Sequence, residues 1–389
     1  MSESFSISII TPVYNAVTTL PRALASLQAQ TLGFERLQWL LIDDCSTDGS
    51  WDLIRQYAAQ YPNVVALRTE QNSGFAGAPR NIGLQHATAP YLMFLDNDDA
   101  FTPTACEALL REAEASGTDL VTGYYQEVNE QGIPLHECAP SCEIRDERKE
   151  YHFPQDYDKM HEVRQIFWCK LYRRAVLQAQ PLTFVTDTSM EDVLFLAGFL
   201  LRCRSMVFVR TLVYQFTVRH NSLSHTLSEQ FFVSRASGHQ QLFALYEAAG
   251  HPECFDLECP NTAHWYVDRI FSGAQLDDAA RLRALQAWQP LVRLSLQRGL
   301  SMGDEAMQEV FTWLAAGDWD AVQQRYPLLL LRQNEAELAQ LRAHIDHLNQ
   351  AMAAVETDRD ALRAHSAALQ AKLDRWPLYR LIRWVKHHR

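Results

Sequence analysis

Short apolar segments alternate with amphipathic helical segments over residues 5–125, and this alternation constrains the fold more than any other feature of the chain. Four segments have the length and composition of buried strands: 6–10, 39–42, 64–67 and 91–95. Helices are predicted between them, one with Leu20, Leu24 and Leu27 on one face and another over 50–59. Strands and helices in this order form βαβ units, so the sequence predicts an α/β fold with a mainly parallel central sheet covered on both faces.

Two acidic clusters flank apolar segments. The first, Asp96-Asn97-Asp98-Asp99, closes the fourth predicted strand, and the second, Glu191-Asp192, opens another apolar run at 193–196. Polar groups at the carboxyl ends of parallel strands lie where open α/β sheets bind ligands. Burying several carboxylates costs free energy unless a cation lies between them. A divalent metal ion with a sugar-nucleotide diphosphate supplies such a charge, so the two clusters favour a transferase.

Length and charge exclude several classes of protein. A chain of 389 residues exceeds one ordinary core and predicts two domains, or a domain with an extension. The net charge of -12 argues against nucleic acid as a partner, because phosphate neutralisation needs clustered Lys and Arg. We find no signal peptide and no run of about 18 apolar residues, so we expect a cytoplasmic protein without a membrane span. The eight cysteines show no disulfide or zinc-binding spacing and are expected to be reduced thiols.

The regular alternation stops after residue 125. Residues 126–165 are rich in turn-forming and charged residues and are predicted to form a loop or insertion over the site. Further along the chain we predict a helix that begins at Glu191-Asp192, two strands over 206–209 and 212–216, and a helical region from about 228 to 325.

The segment from Leu331 to Trp376 differs in kind. Alternating steps of three and four residues give fourteen positions, of which eleven are apolar. A seam of this period predicts a coiled coil, and therefore a homo-oligomer, with Asn334, Arg359 and Ser366 as polar interruptions. The alternative is one long helix folded back on the protein.

A basic segment ends the chain. Residues 375–389 carry five Arg or Lys and no acidic residue, and Leu378, Leu381, Ile382 and Val385 share a helical face. A basic amphipathic helix is typical of peripheral contact with an anionic membrane. Docking on a partner protein is the alternative interpretation of this tail.

Six short motifs follow one another between residues 9 and 224. In order, they are Ile9-Ile10-Thr11-Pro12-Val13-Tyr14-Asn15, Ile42-Asp43-Asp44-Cys45-Ser46-Thr47-Asp48-Gly49-Ser50, residues 72–83 around Arg80, Phe94-Leu95-Asp96-Asn97-Asp98-Asp99, Glu191-Asp192 and Arg219-His220-Asn221-Ser222-Leu223-Ser224. Together they resemble the family 2 glycosyltransferases of the GT-A fold over roughly residues 5–226. The resemblance implies inverting transfer of a sugar from a nucleotide-diphosphate donor, with a UDP-sugar expected, to a glycan or lipid-linked acceptor. It also implies Mn²⁺ or Mg²⁺ as cofactor and a role in cell-surface polysaccharide synthesis.

The resemblance assigns donor-binding roles to residues of the first three motifs. Thr11, Pro12 and Tyr14 are expected to line the nucleotide pocket. Asp44 is expected to accept a hydrogen bond from uracil, and Asp43 to support its turn.

Further roles follow from the other matching positions. Gly74 and Gly77 are expected to let the backbone approach the ligand, and Arg80 to approach the diphosphate. Asp96 is expected to face ribose or metal, and Asp98 to be the main metal ligand. Asp192 is the expected catalytic base that deprotonates the acceptor, with Glu191 assisting it.

The sequence thus predicts a glycosyltransferase domain over 1–226, a helical region over 227–328, a coiled coil over 329–376 and a basic tail over 377–389. Two alternatives are weighed against this interpretation. A nucleotidyltransferase would have a glycine-rich loop after the first strand. This chain has Thr11-Pro12-Val13-Tyr14-Asn15 there, without a glycine. A coiled-coil assembly protein with a vestigial transferase core would lack the complete set of acidic residues.

Overall fold

The computed structural model describes residues 5–138, 146–162, 166–218, 227–257, 259–272, 276–301, 305–354, 365–369 and 371–372. The chain forms two units. The first comprises Met1–Thr226 with Ser234–Glu258, and the second comprises Leu227–Val233 with Cys259–Arg389.

One sheet lies at the centre of the first unit. Its strands are β1 (Ile7–Val13), β2 (Leu37–Asp43), β3 (Val64–Arg68), β4 (Tyr91–Phe94), β5 (Ala100–Phe101), β6 (Leu120–Val128), β7 (Pro134–Cys138), β8 (Arg148–His152), β9 (Lys170–Arg173) and β10 (Ser205–Thr217). Within the described residues their spatial order is β3-β2-β1-β4-β9-β6-β10-β5, with β7 added to β6 and β8 to β10. The first four strands are parallel, whereas β9 runs antiparallel between β4 and β6. The predicted α/β class is confirmed, with a sheet that is parallel in its first half and mixed beyond it.

The helices up to residue 256 alternate with or follow these strands. In chain order they are α1 (Leu20–Gln28), α2 (Ser50–Gln60), α3 (Gly77–His86), α4 (Ala105–Ser116), α5 (Arg174–Ala179), α6 (Glu191–Leu200), α7 (Glu229–Ala248) and α8 (Glu253–Asp256). Helices α1 to α4 pack against the strands. Every residue of β1 and β2 is buried. A Cβ at Gly83 would lie 2.5 Å from Ile10 Cγ2, so this glycine lets α3 pack closely on β1.

The prediction of a loop over residues 126–165 is wrong in part, because β6, β7 and β8 occupy much of this range. The side chain of Asn129 accepts hydrogen bonds from the amides of Gln131 and Ile133, and Gly132 has a φ of 76°, which closes the turn between β6 and β7. Strand β8 pairs with β10 and is rich in charge, as edge strands often are. The two strands predicted over 206–216 are one long strand, β10, with irregular register between Phe208 and Leu212.

The second unit is helical, as predicted for this part of the chain. The helices that follow α8 in the chain belong to this unit: α9 (Cys259–Ser272), α10 (Asp278–Gln297), α11 (Glu305–Ala316) and α12 (Trp319–Ala354). Asp277 caps α10 by accepting a hydrogen bond from the Ala280 amide at 2.7 Å. Aromatic stacking of Tyr266 on Trp288, with centroids 4.2 Å apart, fills the space between α9 and α10.

Helix α12 carries the first part of the predicted coiled-coil seam. Leu338, Leu341 and Ile345 are half-buried, whereas Ala339 and Ala343 between them are exposed. The coiled coil itself stays a prediction, and the basic tail over 377–389 lies outside the described residues, as does the motif at 219–224. Within the described part of the chain, no helix combines the length and the apolar character that crossing a membrane requires.

Candidate active site

Arg80 brings the two acidic clusters of the sequence together. Its Nη2 lies 2.8 Å from Oδ1 of Asp96, and its Nη1 lies 3.1 Å from Oε1 of Glu191. The side chain of Arg80 is 5% exposed, and those of Asp96 and Glu191 are 26% and 11% exposed. Residues 111 positions apart in sequence therefore share one partly buried ionic network.

Three elements of the first unit build this network. Asp96 follows β4, Arg80 lies in the first turns of α3, and Glu191 begins α6. The rings of Phe167 and Phe184 flank the guanidinium, with centroids 4.4 and 5.5 Å from its carbon. Aromatic faces attract the cation and exclude water from it.

Helix α3 is fixed to the segment that leads into α6. The side chain of Asn81 donates to the carbonyl of Phe184 at 2.8 Å and accepts from the amide of Phe184 at 2.7 Å. A Cβ at Gly77 would clash with the carbonyl oxygen of Val185, so the start of α3 approaches this backbone because residue 77 is glycine. Gly77 was expected to admit a ligand, and the structure places Val185 beside it.

The start of α6 is also held by α7. Thr188 donates from its hydroxyl to the carbonyl of Ser234 at 2.9 Å, and the amide of Ser189 donates to Oγ of Ser234 at 2.9 Å. A Cβ at Gly238 would lie 2.7 Å from the side chain of Met190, which shows how closely α7 packs there. The turn before Glu191 is therefore supported on two sides.

Burial and charge act in opposite directions on this network. Burial alone would lower the pKa of Arg80, but Asp96, Glu191 and Asp192 raise it above its ordinary value. Burial and the neighbouring Asp192 raise the pKa of Glu191 from 4.5 to about 7, against the lowering effect of Arg80. Glu191 therefore changes its charge near neutral pH, while Arg80 stays cationic.

Asp192 follows Glu191 in the first turn of α6. It is half-buried, and its Oδ1 accepts a hydrogen bond from the amide of Val193 at 2.8 Å. The amino end of a helix stabilises a carboxylate, because unpaired amides there carry partial positive charge. Asp192 is more accessible than the neighbouring Glu191, which is 8% exposed when its backbone is included.

Asp99 does not cap the following helix. The N-cap of α4 is Thr104, and Asp99 is 1% exposed. Its carboxylate accepts hydrogen bonds from the hydroxyl of Tyr214 at 2.8 Å and from the amide of Thr217 at 2.7 Å. Burial, with Asp98 and Asp96 nearby, raises the pKa of Asp99 well above its ordinary value.

Asp43 and Asp44 lie at the end of β2, and both carboxylates have partners within the chain. Oδ2 of Asp43 accepts from Nε of Arg68 at 3.0 Å and from the amide of Ser46 at 3.2 Å. Asp44 accepts from the hydroxyl of Thr69 at 2.9 Å and from the amide and hydroxyl of Ser73, the latter at 2.8 Å. Asp44 thus fixes the segment around Ser73.

The other residues expected at the nucleotide pocket have different surroundings. Thr11 is fully buried, and its hydroxyl accepts a hydrogen bond from the indole of Trp39 at 2.9 Å, so the structure places it in the core. Pro12 is buried, and its carbonyl accepts from the side chain of Asn97 at 3.1 Å. Tyr14 is 50% exposed beyond β1. Gly74 has a φ of 79°, which favours glycine at this turn.

Sequence reasoning assigned no role to several residues that build the site. Asn15 and Cys45 both have positive φ, at 49° and 58°, where the loops after β1 and β2 meet. The side-chain oxygen of Asn15 accepts a hydrogen bond from the backbone amide of Thr47 at 2.8 Å. The backbone amide of Asn15 donates to Oγ of Ser46 at 2.9 Å. Asn15 and Cys45 lie in the first and second of the six motifs, so these motifs indicated the region in which the two loops meet.

The residues after β4 fit a divalent cation whose remaining ligands are phosphate oxygens and waters. Among the residues that the structure describes, no group of three or more His, Cys, Asp or Glu side chains forms a metal cage. Asp96 and Asp98 are half-buried carboxylates two positions apart. Mg²⁺ in particular is commonly bound by one or two carboxylates, with phosphate oxygens and waters as the other ligands. Asp96 and Asp98 are therefore the residues that would hold such an ion, and Asp96 also pairs with Arg80 through its Oδ1.

Comparison with known proteins identifies related sequences and folds. Residues 8–180 match the sequence model of Glycosyl transferase family 2. Residues 8–180 form a domain of this family. The chain is 30% identical over 238 residues to the poly(ribitol-phosphate) beta-glucosyltransferase of Bacillus spizizenii, and the matched region covers 58% of this chain and 35% of that protein.

A second relative gives the same picture. The uncharacterized glycosyltransferase YibD of Escherichia coli is 26% identical over 234 residues, 58% of this chain and 64% of that protein. The chain thus spans between 35% and 64% of the length of these two relatives.

A solved structure shows the fold. The crystal structure of Staphylococcus aureus TarS 1–349 in complex with UDP-GlcNAc superposes with a TM-score of 0.64 at 20% identity, over 83% of this chain and 91% of that one. The chain therefore shares the fold of that protein.

Proposed function

We propose that the protein is an inverting glycosyltransferase that moves a sugar from a nucleotide-diphosphate donor to a hydroxyl of a glycan or lipid-linked acceptor. The observation that carries the proposal is the pairing of Arg80 with both Asp96 and Glu191. It supports a shared site for the residues expected to bind the donor and those expected to activate the acceptor.

The donor is proposed to bind near Arg80 and the end of β4. A guanidinium with two carboxylate partners is already desolvated, so a diphosphate that replaces one carboxylate meets a charge that water screens weakly. Asp98, with Asp96, would hold Mn²⁺ or Mg²⁺. When bound, this ion would neutralise the negative charge of the departing diphosphate.

Asp192 is proposed as the base, because it is half-buried and lies directly beside the ionic network. Its carboxylate takes the proton of the acceptor hydroxyl, and the oxygen forms a bond to the anomeric carbon. The bond from that carbon to the diphosphate oxygen breaks, and the nucleoside diphosphate leaves with the electron pair. Attack from the opposite face inverts the configuration, so an α-linked donor gives a β product.

Glu191 is proposed to orient Arg80. Its Oε1 is engaged by Nη1 of Arg80, and the carboxylate is largely buried. A pKa of about 7 lets Glu191 adjust its charge when the anionic diphosphate arrives or leaves. The buried guanidinium of Arg80 would then keep a nearly constant number of negatively charged partners through the reaction.

The biological setting is proposed from the relatives. One of them is named a poly(ribitol-phosphate) beta-glucosyltransferase, and TarS was solved with UDP-GlcNAc. We therefore propose a UDP-sugar donor and a role in teichoic acid or other cell-surface polysaccharide synthesis on the cytoplasmic side of a membrane. A homo-oligomer formed through the coiled coil and peripheral membrane contact through residues 377–389 complete the proposal.

The donor and the base can be tested without knowing the acceptor. Purified protein is incubated with a panel of UDP-sugars and Mn²⁺, and slow release of UDP by water is measured. We expect release from at least one donor, and its loss in Asp192→Asn while that variant still binds UDP with Mn²⁺. Asp98→Ala should lose the Mn²⁺-dependent part of UDP binding, and the exposed Asp52→Asn variant on α2 serves as control. Normal turnover in Asp192→Asn would show that another residue is the base.

A further inference from the structure

The end of β10 holds the loop that follows β4. The hydroxyl of Thr217 donates to the carbonyl of Asp98 at 2.6 Å, and the amide of Thr217 donates to Asp99 at 2.7 Å. The hydroxyl of Tyr214 donates to Asp99 at 2.8 Å and accepts from the amide of Asp96 at 3.2 Å. Two residues of one strand thus bond to the three acidic residues of the loop.

These contacts are buried and rigid. Tyr214 is fully buried, and Thr217 is 5% exposed. The ring of Tyr214 stacks on Trp168, with centroids 4.1 Å apart, and meets the edge of Phe101 at 5.5 Å. Both neighbours restrict rotation of the ring and hence the position of its hydroxyl.

Thr217 also links the loop to helix α1. Its Oγ1 accepts a hydrogen bond from Nη1 of Arg22 at 2.8 Å while it donates to Asp98. A hydroxyl with one donor and one acceptor partner has a defined orientation. The loop is therefore connected through Oγ1 of Thr217 to Arg22, and these two residues are 195 positions apart in sequence.

The loop needs such support. Asp96, Asp98 and Asp99 place three carboxylates within four residues, and like charges at this spacing repel. Without fixed partners the loop would move these groups apart before a cation or phosphate arrives.

We propose that Tyr214 and Thr217, acting with Asp99, are positioning residues that set the direction of the Asp96 and Asp98 carboxylates toward the donor. None of the three contacts the substrate in this role. The inference rests on the proposed function, because it assumes that Asp96 and Asp98 meet the donor. Tyr214 and Thr217 lie outside residues 8–180, the part of the chain that matches the family.

The test compares two variants of Thr217. Thr217→Val keeps the shape and removes the hydroxyl, whereas Thr217→Ser keeps the hydroxyl. Tyr214→Phe removes the second hydroxyl, and Tyr157→Phe is the matched control, because its hydroxyl bonds to the carbonyl of Leu201 outside this network. All are made in the full chain.

Two measurements are made on each variant. Amide hydrogen exchange is followed in a peptide that covers residues 95–101, and binding of UDP, GDP and CDP is titrated with Mn²⁺ and again with EDTA. We expect faster exchange in Thr217→Val and Tyr214→Phe. Affinity with Mn²⁺ should fall on the order of tenfold, since a small displacement of positioned groups is costly. Affinity with EDTA, and both measurements on Thr217→Ser and Tyr157→Phe, should stay near those of the parent.

Unchanged exchange in Thr217→Val would overturn the inference, and so would faster exchange with unchanged nucleotide affinity. Equal weakening with Mn²⁺ and EDTA would indicate general destabilisation and would also overturn it. If the parent protein binds none of the three nucleotides, the proposed function fails. The exchange data then still decide whether Tyr214 and Thr217 hold the loop.

Discussion

The guanidinium of Arg80 lies 3.1 Å from the carboxylate of Glu191, and this ion pair joins helix α3 to the first residue of helix α6. The same guanidinium reaches Asp96 at 2.8 Å on its other side. One side chain thus connects three elements that are distant in sequence, and its removal is expected to affect the whole network.

Arg80→Met should destabilise the first unit. The variant leaves Asp96 and Glu191 partly buried without their cation, which typically costs about 3–5 kcal/mol in the free energy of unfolding. Urea denaturation at pH 8 measures this loss. Arg55→Met on α2 is the control, since its ion pair with Asp52 is exposed and is worth less than about 1 kcal/mol. Equal losses in the two variants would contradict the role given to Arg80.

Glu191 should make stability depend on pH. Its pKa is raised from 4.5 to about 7, so the folded protein holds a proton that the unfolded chain releases between these values. The stability contributed by protonated Glu191 is complete below pH 4.5 and is lost as the pH rises through about 7.

Glu191→Gln tests this dependence, because glutamine stays neutral throughout. Between pH 4.5 and 8 the wild type should lose stability relative to the variant, on the order of 3 kcal/mol at 1.36 kcal/mol per pKa unit. Chemical denaturation at a series of pH values provides the measurement. The exposed Glu114→Gln variant on α4 is the comparison, and parallel curves for all three proteins would refute the prediction.

Gly77→Ala should be more harmful than Gly198→Ala, although both residues lie in helices. The new methyl group at position 77 meets the backbone carbonyl of Val185, which cannot move without displacing its segment. We expect a loss of about 1–3 kcal/mol in the free energy of unfolding. At Gly198 the nearest atom is Cδ1 of Leu182, 2.8 Å away at the tip of a flexible side chain. Thermal melting of both variants gives the comparison, and a larger loss at position 198 would be the contrary result.

The seam on α12 should control association. Leu338, Leu341 and Ile345 are half-buried in the single chain, and a second copy would cover them fully. Replacing Leu341 by Asp should convert an oligomer to a monomer in sedimentation velocity while UDP binding is retained. Ala343→Asp, at an exposed position of the same helix, should leave the oligomer intact. A parent chain that sediments as a monomer would exclude the coiled coil.

The sequence predicted those features whose cause is local. Strands β1, β2 and β4 are short apolar runs that end in polar residues, so period and composition were enough to find them. Strand β8 was missed because Arg148, Lys149 and Glu150 look like a loop, and pairing with β10 supplies the stabilisation that local composition lacks.

The roles of side chains were likewise predictable only where their cause is local. Asp99 closes the first acidic motif, and its partners Tyr214 and Thr217 lie 115 and 118 residues further along the chain, where no local pattern points to them. Thr11 was expected at a pocket, yet its hydroxyl faces Trp39 in the core, because side chains alternate between the faces of a strand. Arg80 was assigned to the diphosphate through the family resemblance, while its pairing with Glu191 required the fold.

Asp44 illustrates what such internal contacts mean for ligand capture. Thr69 and Ser73 bond to its carboxylate, so the chain between them becomes ordered as the protein folds. A donor nucleotide bound at Asp44, as the family resemblance predicts, would meet a loop that is already ordered, which lowers the entropic cost of association.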